Sequence, residues 1–225
     1  MTGNYIIAPA CKFDTKIAKY HHMKNFDNKQ EKTLVLIKPD GVQRGLIGEV
    51  IKRYESCGLK LVALKMVIAD KKLALAHYST DPDWAIKTGT KTFESYENKG
   101  LPLPGKDPIE FAEKVRRQLV SFMTSGPVIA MIWQGMGAVS VVRKITGGTE
   151  PLTSAPGTIR GDYTIDSYTA SDVDQRAVRN IIHSSGSVDE ANKEITIWFK
   201  SEEILNYRLI SEEIIYDVNL DGILE

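Results

Sequence analysis

Short apolar runs that alternate with amphipathic segments constrain the fold of this chain more than any other feature of its sequence. "TLVLI" at 33–37 is apolar and stops at "KPDG", which predicts a buried strand entering a turn. "LIGEVIKRYESCG" then carries apolar residues at helical spacing up to Gly58, and "LKLVALKMVIA" at 59–69 predicts a second strand. This order of elements predicts a sheet with helices packed on one face.

The remainder of the chain continues the same alternation. "DKKLALAHYS" and "IEFAEKVRRQLVSFM" have helical periodicity, "SGPVIAMIWQG" predicts a turn and a buried strand, and "GAVSVVRKITG" predicts a helix. Residues 147–162 are rich in glycine, proline, serine and threonine, which predicts a loop. "NIIH" is then a short strand, "SVDEANKEITIWF" a serine-capped helix and "SEEILNYRLISEEIIY" a C-terminal helix.

Polar stretches define the expected domain organisation. Residues 1–31 end in a polar run without periodicity and are interpreted as an N-terminal extension, which leaves one domain over 32–225. Two insertions are expected in that domain, near 79–108 and 164–175. The first is long for a loop in a compact domain, and the second is polar enough to be a plain surface loop.

The charge balance and the cysteine count exclude several classes of function. Lysine plus arginine and aspartate plus glutamate both number 29, so no net field favours nucleic acid or an acidic membrane, and neither is indicated as a partner. Cys11 and Cys57 lie far apart without metal-ligand spacing, which argues against a disulfide framework or a zinc site. No apolar run approaches the roughly 20 residues of a membrane span, so a cytoplasmic location is expected.

Several loops nevertheless concentrate residue types that bind phosphate. Lys38 directly follows a strand, Arg143 and Thr149 flank "KITGG", and Arg160 lies in "PGTIRGD", where glycines allow the backbone close to a ligand. Each residue alone is weak support, because most single surface cations are simply solvated. His183 is equally ambiguous, since a histidine after an apolar strand is more often a structural hydrogen-bonding residue than a catalytic one.

The combination of these segments is much more specific than any one of them. In order, "TLVLIKPDGVQRGLIGEVIKRYE", "HY", "SGPVIAMIWQG", "GGTEPLTSAPGTIRGD" and "RNIIHSSGSVDEANKEITIWF" resemble the signature segments of nucleoside diphosphate kinases, over most of 33–78 and 125–205. The resemblance implies a ferredoxin-like α+β sandwich whose four-stranded antiparallel sheet is covered by helices. It also implies transfer of the γ-phosphoryl group of a nucleoside triphosphate to a nucleoside diphosphate in two ping-pong steps, with His183 as the phosphorylated residue.

The same resemblance implies a role for each matched residue. Six residues are implied to bind substrate: Lys38, Tyr78, Arg143, Thr149, Arg160 and Asn180. The arginines, the threonine and the tyrosine match phosphate contacts, whereas the lysine and the asparagine match residues that hold the ribose and sugar hydroxyls next to the phosphates. Glu194 matches a carboxylate that orients His183, and Ser185 matches a serine that supports the site. Mg²⁺ would arrive on the nucleotide phosphates, so no protein cage for a metal is expected.

Two departures from the family pattern leave details open. After the histidine, most members continue with glycine, serine, aspartate and serine, whereas this chain has "SSGS", so that Gly186 stands in place of the aspartate. The first insertion also separates "HY" from "SGP", which leaves the residue that stacks on the nucleobase unassigned. Trp84 and Phe93 are candidates, and a core role suits either of them equally well.

The expected partners are nucleoside di- and triphosphates, including ATP, GTP and deoxy forms, and further copies of the chain in a tetramer or hexamer built from dimers. Two other functions fit part of the sequence. A binding module would keep the pocket without turnover, and a histidine phosphocarrier would receive its phosphoryl group from a protein. The presence of His183 disfavours the first, and the set of cations together with Asn180 disfavours the second, which would not require them.

Overall fold

A single antiparallel sheet forms the centre of the protein. The computed structural model describes residues 29–79, 83–98, 100 and 102–216, so most of the expected N-terminal extension lies outside the described residues. The sheet has four strands in the spatial order β2-β3-β1-β4. Their bounds are β1 Lys32–Ile37, β2 Lys60–Ile68, β3 Pro127–Gln134 and β4 Ile182–Ser184. This arrangement confirms the predicted ferredoxin-like α+β fold.

Helices connect and cover these strands. In chain order they are α1 Pro39–Gln43, α2 Ile47–Glu55, α3 Lys71–His77, α4 Trp84–Asn98, α5 Pro108–Met123, α6 Ala138–Thr146, α7 Ile159–Tyr163, α8 Tyr168–Val173, α9 Val188–Trp198 and α10 Ser211–Ile215. A short 3₁₀ turn spans Ser201–Glu203.

The central strand β1 is apolar and buried on both faces of the sheet. Leu36 belongs to one core, formed with α3, α5 and α9 and including Trp198. Val35 belongs to a second core on the opposite face, formed with α2 and α6 and including Trp133. The expectation that helices pack on one face only is therefore wrong. A strand with apolar residues at consecutive positions requires cover on both sides.

Two short helices, α7 and α8, lie in segments for which the sequence predicts loops. Thr158 precedes α7, and its hydroxyl oxygen accepts the Gly161 N–H at 3.1 Å. Ser167 precedes α8, and its hydroxyl oxygen accepts the Ala170 N–H at 3.1 Å. Caps of this kind stabilise a helix by about 1 kcal/mol. The serine and threonine residues that suggested loops therefore act here as helix caps.

The first insertion contains α4, which packs against α5 as a helical hairpin. Phe93 of α4 is 8% exposed, and its ring centroid lies 6.1 Å from that of Phe111 in an edge-to-face contact. Gly89 approaches the Pro108 backbone so closely that no side chain would fit between them. Phe93 therefore has the core role that the sequence left open, whereas Trp84 is half-buried at the start of α4.

The C-terminal segment does not form the continuous helix that its sequence predicts. Between the 3₁₀ turn and α10, the Leu205 N–H donates to the Val62 carbonyl at 2.8 Å. The Tyr207 hydroxyl donates to the Leu61 carbonyl at 2.7 Å. Pairing with the outer edge of β2 therefore outweighs the local helical preference of this segment.

Close packing between α1 and the chain entering β4 generates a stability prediction. A methyl group at Gly41 would lie 2.7 Å from Ile37 Cγ2 and 2.9 Å from the Ile181 carbonyl oxygen. We expect Gly41→Ala to lower the free energy of unfolding by about 1–3 kcal/mol in urea titrations, because the backbone must shift. Gly48→Ala in α2 is the matched control. No atom of the described residues lies within 4 Å of its added methyl group, and helix propensity predicts a gain of up to about 1 kcal/mol. Equal effects of the two substitutions would contradict the close approach at Gly41.

Candidate active site

His183 lies at the centre of β4, an edge strand that pairs with β1. It is paired with Leu36 in the ladder, and its neighbours Ile182 and Ser184 are buried. The His183 side chain itself remains 19% exposed. The sheet therefore fixes the backbone of this histidine while leaving its ring accessible.

The turn that enters β4 is strained. Ile181 has a φ of 55°, which is unfavourable for a β-branched residue. The Ile182 N–H donates to the Asn180 carbonyl at 2.6 Å and closes a γ-turn around Ile181. Two contacts from the start of α1 hold this turn. The Lys38 N–H donates to the Ile181 carbonyl at 2.8 Å, and the Ile181 N–H donates to Asp40 Oδ2 at 3.0 Å. Strain of about 1–3 kcal/mol persists only where surrounding contacts impose it.

Glu194 of α9 orients the His183 ring. Its carboxylate is buried, with Oε1 2.9 Å from His183 Nε2. Glu194 Oε2 accepts the Ser185 hydroxyl at 2.6 Å, and Ser185 Oγ accepts the Leu34 N–H from β1 at 3.2 Å. These contacts tie the carboxylate to the sheet. His183 Nδ1 makes no hydrogen bond with the described residues, so this nitrogen is available for chemistry.

A second histidine, His77 at the end of α3, lies beside the same carboxylate. His77 Nδ1 accepts the Trp198 indole N–H at 3.4 Å and lies 3.4 Å from Glu194 Oε1. Its ring contacts that of His183 edge to face, with 4.4 Å between the centroids. His77 was not among the site residues that the sequence predicted. The "HY" motif contained the signal, but only its tyrosine was assigned a role.

Burial keeps both imidazoles neutral. It lowers the pKa of His183 to about 3, with Lys38 acting in the same direction and Glu190 opposing it. It also lowers the pKa of His77 to about 3, with the neighbouring His183 as the next cause. Burial raises the pKa of Glu194, while His77 opposes that shift. The His183 ring is therefore unprotonated, and able to act as a nucleophile, well below neutral pH.

His77, His183 and Glu194 lie close enough together to be considered as a metal site. Within the described parts of the chain, His77, His183 and Glu194 place one ligand atom each within 4.8 Å of one another. Two nitrogens and one carboxylate suit zinc-like ions better than Mg²⁺, which prefers oxygen. However, His77 Nδ1 already accepts the Trp198 N–H, and the Glu194 carboxylate already lies beside His183 Nε2. Orientation of the His183 ring explains this cluster better than metal binding does.

Arg160 of α7 is buried and organises the loops around His183. Its Nη1 donates to the Gly147 and Gly148 carbonyls at 3.1 and 3.0 Å. Its Nη2 donates to the Ile182 carbonyl at 2.6 Å, and its Nε donates to the Asn180 carbonyl at 3.4 Å. One of its five N–H groups, on Nη2, is left for a ligand. Arg160 therefore has a structural role that its expected assignment as a phosphate contact did not include.

Arg143 and Tyr78 carry polar groups with no partner among the described residues. Arg143 lies in the last turn of α6, is exposed and forms no ion pair there. Its guanidinium lies beside the turn after His183. Arg143 Nη1 is 3.6 Å from the position that a methyl group at Gly186 would take. The Tyr78 hydroxyl is buried without a hydrogen bond. Burial raises the pKa of Tyr78, so the hydroxyl remains a donor at neutral pH.

Lys38 and Asn180 form a buried polar pair. Lys38 Nζ donates to Asn180 Oδ1 at 2.7 Å, and Asn180 Nδ2 donates to the Thr149 carbonyl at 2.8 Å. Thr149 itself is exposed. Burial and the charge of Arg160 lower the pKa of Lys38 to about 7. A bound phosphate would favour the charged form of this lysine.

Comparison with known proteins places this site in a family. The sequence model of the nucleoside diphosphate kinase family matches residues 31–93 and 111–204. A nucleoside diphosphate kinase from Pyrobaculum aerophilum is 45% identical over 179 residues, which cover 78% of this chain and 98% of the relative. A relative from Dictyostelium discoideum, described as a cytosolic nucleoside diphosphate kinase, is 43% identical over 176 residues, which cover 78% and 88% of the two chains.

Solved structures lead to the same family. The crystal structure of an NDP kinase from Pyrobaculum aerophilum has a TM-score of 0.74 at 43% identity and covers 79% of this chain and 100% of its own. A nucleoside diphosphate kinase from Borrelia burgdorferi, a transition-state mimic with bound vanadate and ADP, has a TM-score of 0.70 at 38% identity, with coverage of 84% and 98%.

The fold and these similarities define a phosphotransferase. The chain belongs to the nucleoside diphosphate kinase family. It is an enzyme that transfers the γ-phosphoryl group of a nucleoside triphosphate to a nucleoside diphosphate, as its sequence motifs predicted. None of the helices in the described residues is long and apolar enough to span a membrane.

The neutral state of the two buried histidines is testable by NMR. With ¹³C-labelled histidine, we expect the Cε1 shifts of His77 and His183 to keep neutral-imidazole values from about pH 8 to about pH 5, because burial opposes protonation. His77→Gln and His183→Ala variants assign the two signals, and the urea-unfolded chain provides the ordinary titration. A midpoint above about pH 6 for either residue in the folded protein would contradict the buried, neutral assignment.

Proposed function

We propose that His183 carries the phosphoryl group between the two nucleotides. In the first step, Nδ1 attacks the γ-phosphorus of a triphosphate, the bond to the bridging oxygen breaks, and the diphosphate leaves with that electron pair. In the second step, a β-phosphate oxygen of another diphosphate attacks the phosphohistidine, and Nδ1 regains its lone pair. The observation that carries the proposal is the position of Glu194, 2.9 Å from His183 Nε2, because it leaves Nδ1 unoccupied.

Glu194 supports this chemistry electrostatically. Bond formation at Nδ1 places positive charge on the imidazole, and a carboxylate at Nε2 stabilises that charge. The Ser185 hydroxyl holds Glu194 through its 2.6 Å hydrogen bond, and His77 lies on the other side at 3.4 Å. Because burial keeps His183 neutral, the nucleophile is in its reactive form near pH 7.

Charge on the transferred group would be met mainly by donors that make no hydrogen bond with the described residues. We assign Arg143, Tyr78 and the remaining N–H of Arg160 to the phosphates, together with the exposed Thr149. Phosphoryl transfer requires mainly in-line positioning and neutralisation of charge, and charged or hydroxyl donors supply both. Arg160 would contribute most through the carbonyl groups that it holds in place.

Lys38 and Asn180 are assigned to the sugar hydroxyls and the adjoining phosphate oxygens. Their mutual hydrogen bond of 2.7 Å presents an ammonium and an amide side by side. The assigned residues bind phosphate and sugar rather than base edges. This supports the use of ATP, GTP and other nucleotides, including deoxy forms. Trp84 remains a candidate for stacking on the base.

We assign Mg²⁺ to the nucleotide rather than to the protein. A divalent metal is typical of nucleotide kinases, where it neutralises phosphate charge. Mg²⁺ prefers oxygen ligands and keeps much of its water, whereas the cluster of His77, His183 and Glu194 offers two nitrogens. The phosphate oxygens of the substrate would therefore hold the ion, and Arg143 would share the task of neutralising them.

The outer edge of β2 supports the proposal that the enzyme is a homo-oligomer built from dimers, as a tetramer or hexamer. Leu64, Met66 and Ile68 alternate along this strand and are 48%, 58% and 76% exposed. No backbone hydrogen bond pairs the outer edge of this half of β2 within the described chain. Apolar side chains beside an unpaired strand edge favour pairing with a second copy. A cytoplasmic location is part of this proposal and agrees with the description of the Dictyostelium relative.

Labelling with γ-³²P-ATP and Mg²⁺ tests the phosphohistidine. We expect acid-labile label on the wild type and none on His183→Ala, because the substitution removes the nucleophile. Addition of GDP or a deoxynucleoside diphosphate should discharge the label. His77→Gln is a matched control that should still be labelled, since this ring does not attack phosphorus. Absence of label would favour a binding module, and label that no diphosphate discharges would favour a phosphocarrier.

Substitution on β2 tests the proposed assembly. We expect Met66→Glu to lower the molar mass measured by light scattering, because a charge on the paired edge would repel its counterpart. Ile86→Glu is the control, since Ile86 is 54% exposed on α4, away from β2. A Met66→Glu protein with the wild-type mass would contradict assembly through this edge.

A further inference from the structure

The space beside Gly186, in the turn after His183, is occupied by another residue. A methyl group at Gly186 would lie 2.5 Å from Glu190 Oε2 and 3.6 Å from Arg143 Nη1. The φ of Gly186 is not positive, so its backbone conformation does not itself demand glycine. A side chain at this position would instead meet the carboxylate of Glu190, which reaches back from α9 and would have to move.

The contacts of Glu190 differ from those of an ordinary capping residue. The Ser187 hydroxyl oxygen caps α9 by accepting the Glu190 N–H at 3.1 Å. In a capping box, the carboxylate three residues later would accept the N–H of Ser187 in return. Instead, Glu190 Oε2 accepts the N–H of Gly186 at 2.9 Å, one residue nearer to His183. The Glu190 carboxylate therefore lies over the turn that follows β4 and closes this turn through the hydrogen bond to Gly186.

The charge of the Glu190 carboxylate acts on two residues of the proposed phosphoryl-transfer site, His183 and Arg143. Glu190 raises the affinity of His183 for a proton, and Arg143 favours the charged form of Glu190. Burial and the neighbouring Glu194 raise the pKa of Glu190. Arg143 and Glu190 flank the same point in space, the Cβ position that Gly186 lacks. A negative charge there attracts the exposed guanidinium of Arg143 toward the turn that carries Ser185.

We propose that Glu190 supplies, from α9, the carboxylate that the turn after His183 lacks at Gly186, and that it positions this turn and Arg143 for phosphoryl transfer. Glu190 is a positioning residue, because it acts through Arg143 and the turn rather than on the reacting atoms. The identities of residues 186 and 190 are then interdependent. A side chain at 186 would displace the Glu190 carboxylate from the position in which it binds the Gly186 N–H. The proposal rests on the proposed function of His183 and Arg143.

A double-mutant cycle at the two positions tests the interdependence. We expect Gly186→Asp to slow single-turnover phosphorylation of His183 by about tenfold or more, because the new side chain meets Glu190 and displaces the turn. Glu190→Ala should also slow it by about tenfold, through loss of the Gly186 contact and of the charge beside Arg143. The double variant Gly186→Asp/Glu190→Ala should recover to within about threefold of wild type, because the carboxylate returns from the other position.

Glu190→Gln separates positioning from helix stability. Glutamine keeps an acceptor for the Gly186 N–H, so we expect an unchanged melting temperature. The loss of charge should raise KM for ATP and slow phosphorylation, and Arg143→Ala/Glu190→Gln should lose little more than Arg143→Ala alone, because Glu190 acts through Arg143. A role in capping alone would leave KM and the rate of Glu190→Gln at wild-type values, and would lower the melting temperature only in Glu190→Ala, which removes the acceptor.

Three outcomes would overturn the proposal. They are a Glu190→Gln enzyme with wild-type KM and rate, a double variant whose loss is the sum of the single losses, and full additivity between Arg143→Ala and Glu190→Gln. Wild-type protein is labelled in parallel. Absence of phosphohistidine on wild type would instead reject the proposed function, so the two failures are distinguishable.

Discussion

The buried carboxylate of Glu194 is the contact on which the rest of the site depends. A carboxylate removed from water is destabilising by several kcal/mol unless hydrogen-bond donors surround it. Ser185 supplies one donor at 2.6 Å, and His183 Nε2 lies 2.9 Å away. This requirement favours the proton on Nε2 and leaves Nδ1 for the proposed attack on phosphorus. Because Glu194 is on α9 and His183 is on β4, the packing of that helix against the sheet sets the orientation of the nucleophile.

The loops around His183 are held by side-chain and main-chain contacts within the protein. Arg160 binds four carbonyl groups, and the γ-turn at Ile181 is clamped by main-chain and carboxylate contacts from α1. Donors that are already in place when the substrate arrives need no reorganisation as charge develops on the phosphoryl group. The strain at Ile181 and the burial of Arg160 are destabilising in isolation, and the hydrogen bonds that they make offset them. Rigidity in these loops is therefore a condition for function.

Elements and site residues could be predicted where the sequence signal was local or formed a motif of several residues. The strand "TLVLI" and the serine cap of α9 follow from apolar runs and capping chemistry that involve neighbouring residues. The site residues were predicted because five segments occur in a specific order, although His183 alone was ambiguous. Helices α7 and α8 were missed because a serine- and threonine-rich composition is typical both of loops and of caps. His77 was missed because nothing local shows that its ring faces Glu194.

The sequence by itself determined the strands, most of the helices and the family, and it predicted the set of residues proposed to bind phosphate. Only the tertiary structure decided that both faces of the sheet are covered, that the C-terminal segment lies along β2, and that Arg160 is largely committed to backbone carbonyls. It also decided that Glu190 fills the space at Gly186, where the sequence showed only a missing aspartate. The physical reason is the same in each case. Local patterns depend on neighbours in the chain, whereas these contacts exist only after α9, the loops and the sheet have packed together.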